Sequence, residues 1–230
     1  MTGQPVYGRN PVRELAAAGR REVHAVYALP ELAREPWLVG LGAEPRSRAE
    51  LGRLAGSAEH QGVVALAGPY PYADAGELLR AEGPIVCLDR VQDPRNLGAV
   101  ARVVDAAGAA GIVVPERGSA PVTGAVARAS AGAVEHVAVA RVPNLAGFLH
   151  DARGPERWVV GADAEDGDDY REAGLGLDTI LVLGAEGAGL RPRVRSMCDR
   201  FVHIPMHGRV ASLNVSVAAA VLLFDIARVR

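Results

Sequence analysis

FVHIPMHGRVASLNVSVAAAVLLFDIA, residues 201–227, is the stretch from which the rest of the chain can be read. Phe201 to Met206 has the pattern of a short strand; a polar turn follows, and then a long apolar helix from Leu213 to Arg228, opening about Ser212. The helix is apolar on nearly every side, through Val215, Val217, Ala218, Ala219, Ala220, Val221, Leu222, Leu223 and Phe224, and so requires burial in a domain or subunit interface. Ser212, Asn214 and Ser216 alternate with apolar residues at its start. One such side chain satisfies the free amides of a helix start. Three fit either a capped core helix or a start whose side chains also meet a ligand.

The composition narrows the class. At 230 residues the chain has room for one large or two small domains, and 49% hydrophobic with 23% charged residues is the balance of a soluble globular protein. No run reaches the ~20 uncharged residues that a membrane span needs. The longest candidate, Val215 to Ala227, is too short and contains Asp225. With no signal-peptide pattern either, the expected location is the cytoplasm, without membrane contact. Cys87 and Cys198 are isolated thiols, and Pro205 lies between His203 and His207, so neither a disulfide framework nor a metal site is expected. All 25 basic residues are arginine, which excludes a P-loop, a Schiff-base lysine and a lysine general base. The net charge of −2 does not mark a nucleic-acid binder. Arg191, Arg193, Arg195, Arg200 and Arg209 nevertheless cluster, opposed only by Asp199, as either a phosphate-binding patch or a solvated face.

Residues 1–67 read as a small α/β unit: helix Val12–Ala18, strand Val23–Leu29, a weak helix Glu31–Val39, helix Arg48–Ala55 and a closing strand at 62–67. Residues 68–82 are expected to form a linker containing a short helix, Glu77–Ala81. From Gly83 onward strands and helices alternate, the pattern of a mostly parallel sheet covered by helices. Strands are expected at 85–88, 111–114, 134–139, 158–162, 180–183 and 201–204, and helices at 97–107, 122–129, 145–152, 191–198 and 213–228. The acidic piece Asp163 to Glu172 reads as a polar loop. Parallel sheets bind ligands at the carboxyl ends of their strands. Three segments fall there: DPRNLGAVAR at 93–102, GAEGAG at 184–189 and IPMHG at 204–208 leading to Ser212-Leu213-Asn214.

Taken singly, these segments are weak signals. GAEGAG allows close backbone approach or positive φ but lacks GxGxxG spacing, and a tight strand–helix turn explains it as well. Glu186 within it would face the ligand end of the sheet. Asn96 and Arg102 lie six apart on one helix, and a buried Arg102 would need a partner. Taken together they resemble the three motifs of the SpoU-type, TrmH/RlmB-like ribose 2′-O-methyltransferases of the class IV (SPOUT) superfamily. The first motif is matched by NLGAVAR at 96–102, supported by ASAGA at 129–133; the second by LVLGAEGAGL at 181–190; the third by IPMHGRVASLNVSVA at 204–218. VYGRNPV at 6–12 and HQGVVA at 60–65 resemble the L30e-like RNA-binding domain of the rRNA branch.

That resemblance implies an α/β fold: a C-terminal trefoil-knot domain at 83–230 with a mostly parallel sheet, and a small N-terminal L30e-like domain at 1–67. It also implies S-adenosylmethionine as cofactor, RNA and not DNA as substrate, with 23S rRNA the first choice, and a homodimer formed through the knot domain. Carried onto this sequence, the cofactor site comprises Leu183, Gly184, Glu186, Gly187, Ile204, Met206, Ser212 and Leu213. The catalytic set comprises Arg102, Asn96, Glu186, Ser212 and Asn214. In the family the arginine is held to activate the ribose hydroxyl. An arginine keeps its proton, so Arg102 fits phosphate holding and alkoxide stabilisation better. His207 and Ala185 depart slightly from the family pattern without touching the core roles.

Overall fold

The computed structural model describes residues 3–155, 157–164, 166–185, 187 and 189–228. They divide into two compact units, 3–71 with 121–136, and 72–120 with 137–228.

The first unit contains β1 (Gln4–Tyr7), α1 (Arg9–Ala18), β2 (Val23–Ala28), α2 (Pro36–Gly40), β3 (Glu44–Pro45), α3 (Arg48–Ala55) and β4 (Val63–Ala67). Its sheet runs β1-β4-β2-β3 and is antiparallel except between β2 and β3. The residues of β4 are all buried, which explains its unbroken apolar run. Tyr7, Tyr27, Leu51, Val64 and Leu66 share one core. Helix α3 opens on a complete capping box, in which Ser47 and Glu50 satisfy each other's backbone amides.

The second unit contains α4 (Ala75–Arg80), β5 (Ile85–Asp89), α5 (Pro94–Ala107) and β6 (Gly111–Pro115) before the chain leaves it. Helix α6 (Gly124–Ala129) and a 3-10 turn at Ala133–Glu135 belong to the first unit. Thus the expected strand at 134–139 is not formed. Val134 and Glu135 are buried in the 3-10 turn, where the Glu135 carboxylate receives Arg21 Nε at 3.1 Å. The strand begins only at Val139, opposite Ile112. Alternation of apolar residues cannot distinguish these cases, because the turn needs a buried valine as much as a strand does. ASAGA supplies the bend: Ala131 and Gly132 both have positive φ, and a Cβ on Gly132 would lie 2.6 Å from Glu14.

The second unit resumes with β7 (Val139–Val142), α7 (Leu145–Ala152), β8 (Trp158–Ala162), β9 (Asp168–Asp169), β10 (Thr179–Gly184), α8 (Pro192–Arg195), β11 (Arg200–His203) and α9 (Val215–Ala227). The sheet order is β7-β6-β5-β10-β8-β11-β9, and every pairing is parallel. Strand β9 falls inside the acidic segment expected to be a loop. Leu145, Leu149 and Val194 pack with Ile85, Val113 and Ile180 in one core. Helix α9 packs against α5. Along α9, Val215, Ala219, Leu222, Leu223 and Ile226 are buried, whereas Val217 and Phe224 remain 46% and 53% exposed. The linker expected at 68–82 divides at Pro71, and its helix starts two residues early, at Ala75, because Asp74 accepts a hydrogen bond from the Glu77 amide.

Candidate active site

The sheet changes direction of growth between β5 and β10: β6 and β7 lie on one side, β8 and β11 on the other. Crevices open at the carboxyl ends of strands at such a point. Here a cavity of about 510 Å³ lies beyond the ends of β8, β10 and β11. Its walls combine Leu183, Val202, Ile204, Met206, Leu213 and Val215 with the backbone of Gly184, Gly187 and Gly189.

The glycine segment has a geometric cause. Ala185 and Gly189 form a β-bridge, and the Gly189 amide donates to the Ala185 carbonyl at 2.9 Å. This brings the chain back onto Gly184 so closely that a Cβ there would lie 2.3 Å from the Gly189 carbonyl carbon. Gly187 and Gly189 sit at φ 75° and 61°, the left-handed region. At Gly184, Gly187 and Gly189 the lining of the cavity is backbone alone. Seven of the eight residues expected to hold the cofactor therefore line one cavity: Leu183, Gly184, Gly187, Ile204, Met206, Ser212 and Leu213. The eighth, Glu186, lies outside the described residues, both as cofactor contact and as catalytic group. The sequence reading missed Ala162, Asp163 and Ala164, which line the cavity from the end of β8. No motif marks them; only the adjacency of β8 to β10 and β11 does.

Beside the cavity, the first and third motifs meet through side chains. Asn214 caps α9, its Oδ1 accepting from the Ser216 amide at 2.9 Å and from the Ser216 hydroxyl at 2.7 Å. Its Nδ2 donates to Asn96 Oδ1 at 3.0 Å. Both asparagines are partly buried, and the bond spans 118 residues of sequence. Helix α9 begins at Val215, not near Ser212, because Asn214 and not the serine is the cap. Asn96 is placed by α5, whose first turn is set by Pro94 and by Asp93 capping the Arg95 amide at 2.8 Å. Hydrogen bonds from the Arg95 side chain and backbone hold the Asp93 carboxyl below its ordinary range. Arg102 lies farther along α5 and is exposed; no side-chain hydrogen bond or ion pair joins it to another described residue. It lies six residues beyond Asn96 on the helix, and its fork is available to a ligand.

The expected basic patch is largely resolved into local partners. Arg191 pairs with Asp89, Arg195 with Asp163 and Asp166, and Arg200 Nη1 donates to the Ala173 carbonyl at 2.7 Å. Asp199 is held by Arg153. Most of the run is therefore internal scaffolding. His203 Nδ1 lies 3.0 Å from the Gly167 carbonyl. Among the described residues no group of histidine, cysteine and carboxylate side chains could hold a metal ion, and no helix is long and apolar enough to cross a membrane.

Comparison with known proteins gives the same site a context. The SpoU rRNA methylase family matches residues 83–224, and the RNA 2′-O ribose methyltransferase substrate-binding family matches residues 5–73. A TrmH family tRNA/rRNA methyltransferase of Bacillus subtilis, YacO, is 44% identical over 75% of this chain and 72% of its own. One from Staphylococcus haemolyticus is 40% identical over 80% of this chain and 76% of its own. The SpoU methyltransferase AviRb from Streptomyces viridochromogenes, crystallised with AdoMet, superposes with a TM-score of 0.82 at 28% identity, covering 98% of this chain and 90% of that one. An AdoMet-bound rRNA methyltransferase from Sinorhizobium meliloti superposes with a TM-score of 0.81 at 26% identity, covering 98% and 87%.

Proposed function

Because the chain belongs to the SpoU rRNA methylase family and is an S-adenosylmethionine-dependent RNA methyltransferase, we propose that it transfers the methyl group to a ribose 2′-hydroxyl. The favoured substrate is a guanosine of 23S rRNA near the peptidyl-transferase centre, and the favoured setting is the cytoplasm. The observation that carries this reading is the Asn96–Asn214 hydrogen bond, which joins two distant motifs beside the cavity.

The cavity suits the cofactor. Its volume is within the range of small-molecule sites. Adenine is flat and largely apolar, so Ile204, Met206 and Leu213 would pack on it, with the backbone of Gly184, Gly187 and Gly189 to meet its polar edge. Bound S-adenosylmethionine supplies a methyl group on a cationic sulfur that departs as a neutral thioether. The protein has to present the hydroxyl in line and stabilise the oxygen as its proton leaves. Asn96, oriented by Asn214, places the ribose. Ser212 and Asn214 position the nucleotide at the cavity mouth. Arg102 holds a neighbouring phosphate and the developing alkoxide with its two-pronged fork. Glu186 serves the glycine loop or the substrate and not as the base. Val217 and Phe224 give α9 an uncovered apolar surface, which supports a homodimer through this unit.

The test is to incubate the protein with labelled S-adenosylmethionine and protein-free, unmodified large-subunit rRNA, then map 2′-O-methylation. One methylated guanosine supports the full reading. Methylation of tRNA alone would move the substrate to tRNA. Cofactor binding without transfer to rRNA, tRNA or a pre-ribosomal particle would favour a silent RNA-binding assembly protein.

A further inference from the structure

The arginine run leaves one pair for which methyl transfer provides no task. Asp89 ends β5 and is completely buried. Its register partner in β10 is Gly184, the first residue of the glycine loop. At the far end of that loop, the Arg191 amide donates to Asp89 Oδ2 at 2.9 Å and Arg191 Nε donates to Oδ1 at 2.8 Å. A terminal guanidinium nitrogen of Arg191 lies 2.7 Å from the same oxygen. Neither side chain lines the cavity.

A buried carboxylate carries a large desolvation cost, and an apolar residue would serve β5 at lower cost. What the carboxylate adds is a fixed distance. It is the end of one strand, beside the entry to the loop, and it grips residue 191 beyond the exit by main chain and side chain together. Between these points the chain closes on itself at Ala185 and Gly189. The Ala185–Gly189 bridge thus forms the neck of an eyelet, and Asp89 holds the chain just outside that neck.

We propose that Asp89, acting through Arg191, is a positioning residue for S-adenosylmethionine: it sets the width of the glycine eyelet and so the spacing of the backbone groups that meet the cofactor. This rests on the reading of the cavity as the cofactor site. Asp89→Asn keeps an acceptor for the amide but removes the charge that aligns the fork. Arg191→Ala removes the fork itself from a side chain that is 41% exposed, and Arg191→Lys, which keeps a cation opposite the buried carboxylate, is the milder variant should either Asp89→Asn or Arg191→Ala fail to fold.

The experiment measures the S-adenosylmethionine dissociation constant of the full chain by calorimetry, with thermal melting alongside. Each single variant should weaken binding about tenfold, a typical coupling for residues in direct contact. The double variant should be no weaker than the poorer single one, since both side chains act through the same ion pair. Arg191→Lys, which keeps the charge without the fork, should fall between Arg191→Ala and the parent. A purely structural pair would lower the melting temperature and leave the dissociation constant of the folded protein unchanged, and that result overturns the proposal. Leu213→Trp, which fills the cavity, separates the two readings. If it abolishes binding while Asp89→Asn and Arg191→Ala bind normally, only the positioning role falls. If it binds normally, the cavity assignment falls, and the positioning role with it.

Discussion

The cavity and the polar join beside it are built in different ways, although one stretch of chain, 212–215, serves both. The cavity is made of aliphatic side chains and glycine backbone, so its chemistry depends on where the main chain runs. The polar join is made of Asn96 and Asn214, with the exposed Arg102 farther along α5, so the chemistry proposed there depends on individual functional groups. The first can tolerate a change of side-chain identity as long as the path is kept; the second can tolerate a small shift of backbone but not the loss of a group. Substitutions in the two regions should therefore fail in different observables.

The largest separation is expected from Arg102→Ala. Turnover under single-turnover conditions should drop by about 10²- to 10³-fold, the scale for removing one preorganised donor, with cofactor affinity unchanged. Full turnover would remove Arg102 from phosphate and alkoxide alike. Gly184→Ala should do the reverse. Its Cβ would strike the Gly189 carbonyl carbon, so the loop must widen, and cofactor affinity should fall by about tenfold or more. Equilibrium binding of S-adenosylmethionine checks this, and unchanged affinity would mean that the loop does not touch the cofactor.

Asn214→Ala belongs to both regions and should show both symptoms at smaller size. The lost cap should cost about 1 kcal/mol of stability, read from denaturant unfolding. Asn96 would lose its orienting bond, and turnover should fall with it, by about tenfold. If only stability changes, the Asn96–Asn214 bond is a structural join and not part of the reaction.

The smallest effect should come from the thiols, which neither region uses. Burial pushes the Cys198 thiol up to about 12 and the Cys87 thiol higher still. At pH 8 the folded protein should react very slowly with iodoacetamide, followed by mass spectrometry. The folded state holds these protons more tightly than the unfolded state. Stability is therefore unaffected below the ordinary thiol range near 9 and declines as pH climbs from there toward 12.

What could be read from the sequence follows the same division. The parallel sheet was legible because β5, β6 and β10 are buried on both faces and appear as continuous apolar runs. The cavity was legible at Gly184, Ile204 and Leu213 only through the resemblance of the three motifs to the SpoU-type family, since the glycine segment alone reads equally well as a tight turn. Ala162 and Asp163 were not, because their role comes from the order β10-β8-β11, a contact between strands that sequence spacing does not encode. The meeting of Asn96 with Asn214 was suggested only by motif order, and the Asp89 grip on Arg191 not at all, since aspartate at a strand end is commonplace. The carboxylate partners of Arg191 and Arg195 were hidden for a related reason. Charge density along the chain does not say which carboxylates will fold against it. Residues 134–139 misled because a buried valine serves a 3-10 turn as well as it serves a strand.

Residues 121–136 leave the second unit to pack with residues 3–71. This has a consequence for the order in which the protein is made. The carboxylate that meets Arg21 belongs to Glu135, and the turn that packs on Glu14 belongs to Gly132. A nascent chain that has emerged only as far as residue 71 carries a complete four-stranded sheet but lacks these pieces of its wall. Completion of the amino-terminal unit therefore waits until β5, α5 and β6, the opening elements of the other unit, have been synthesised.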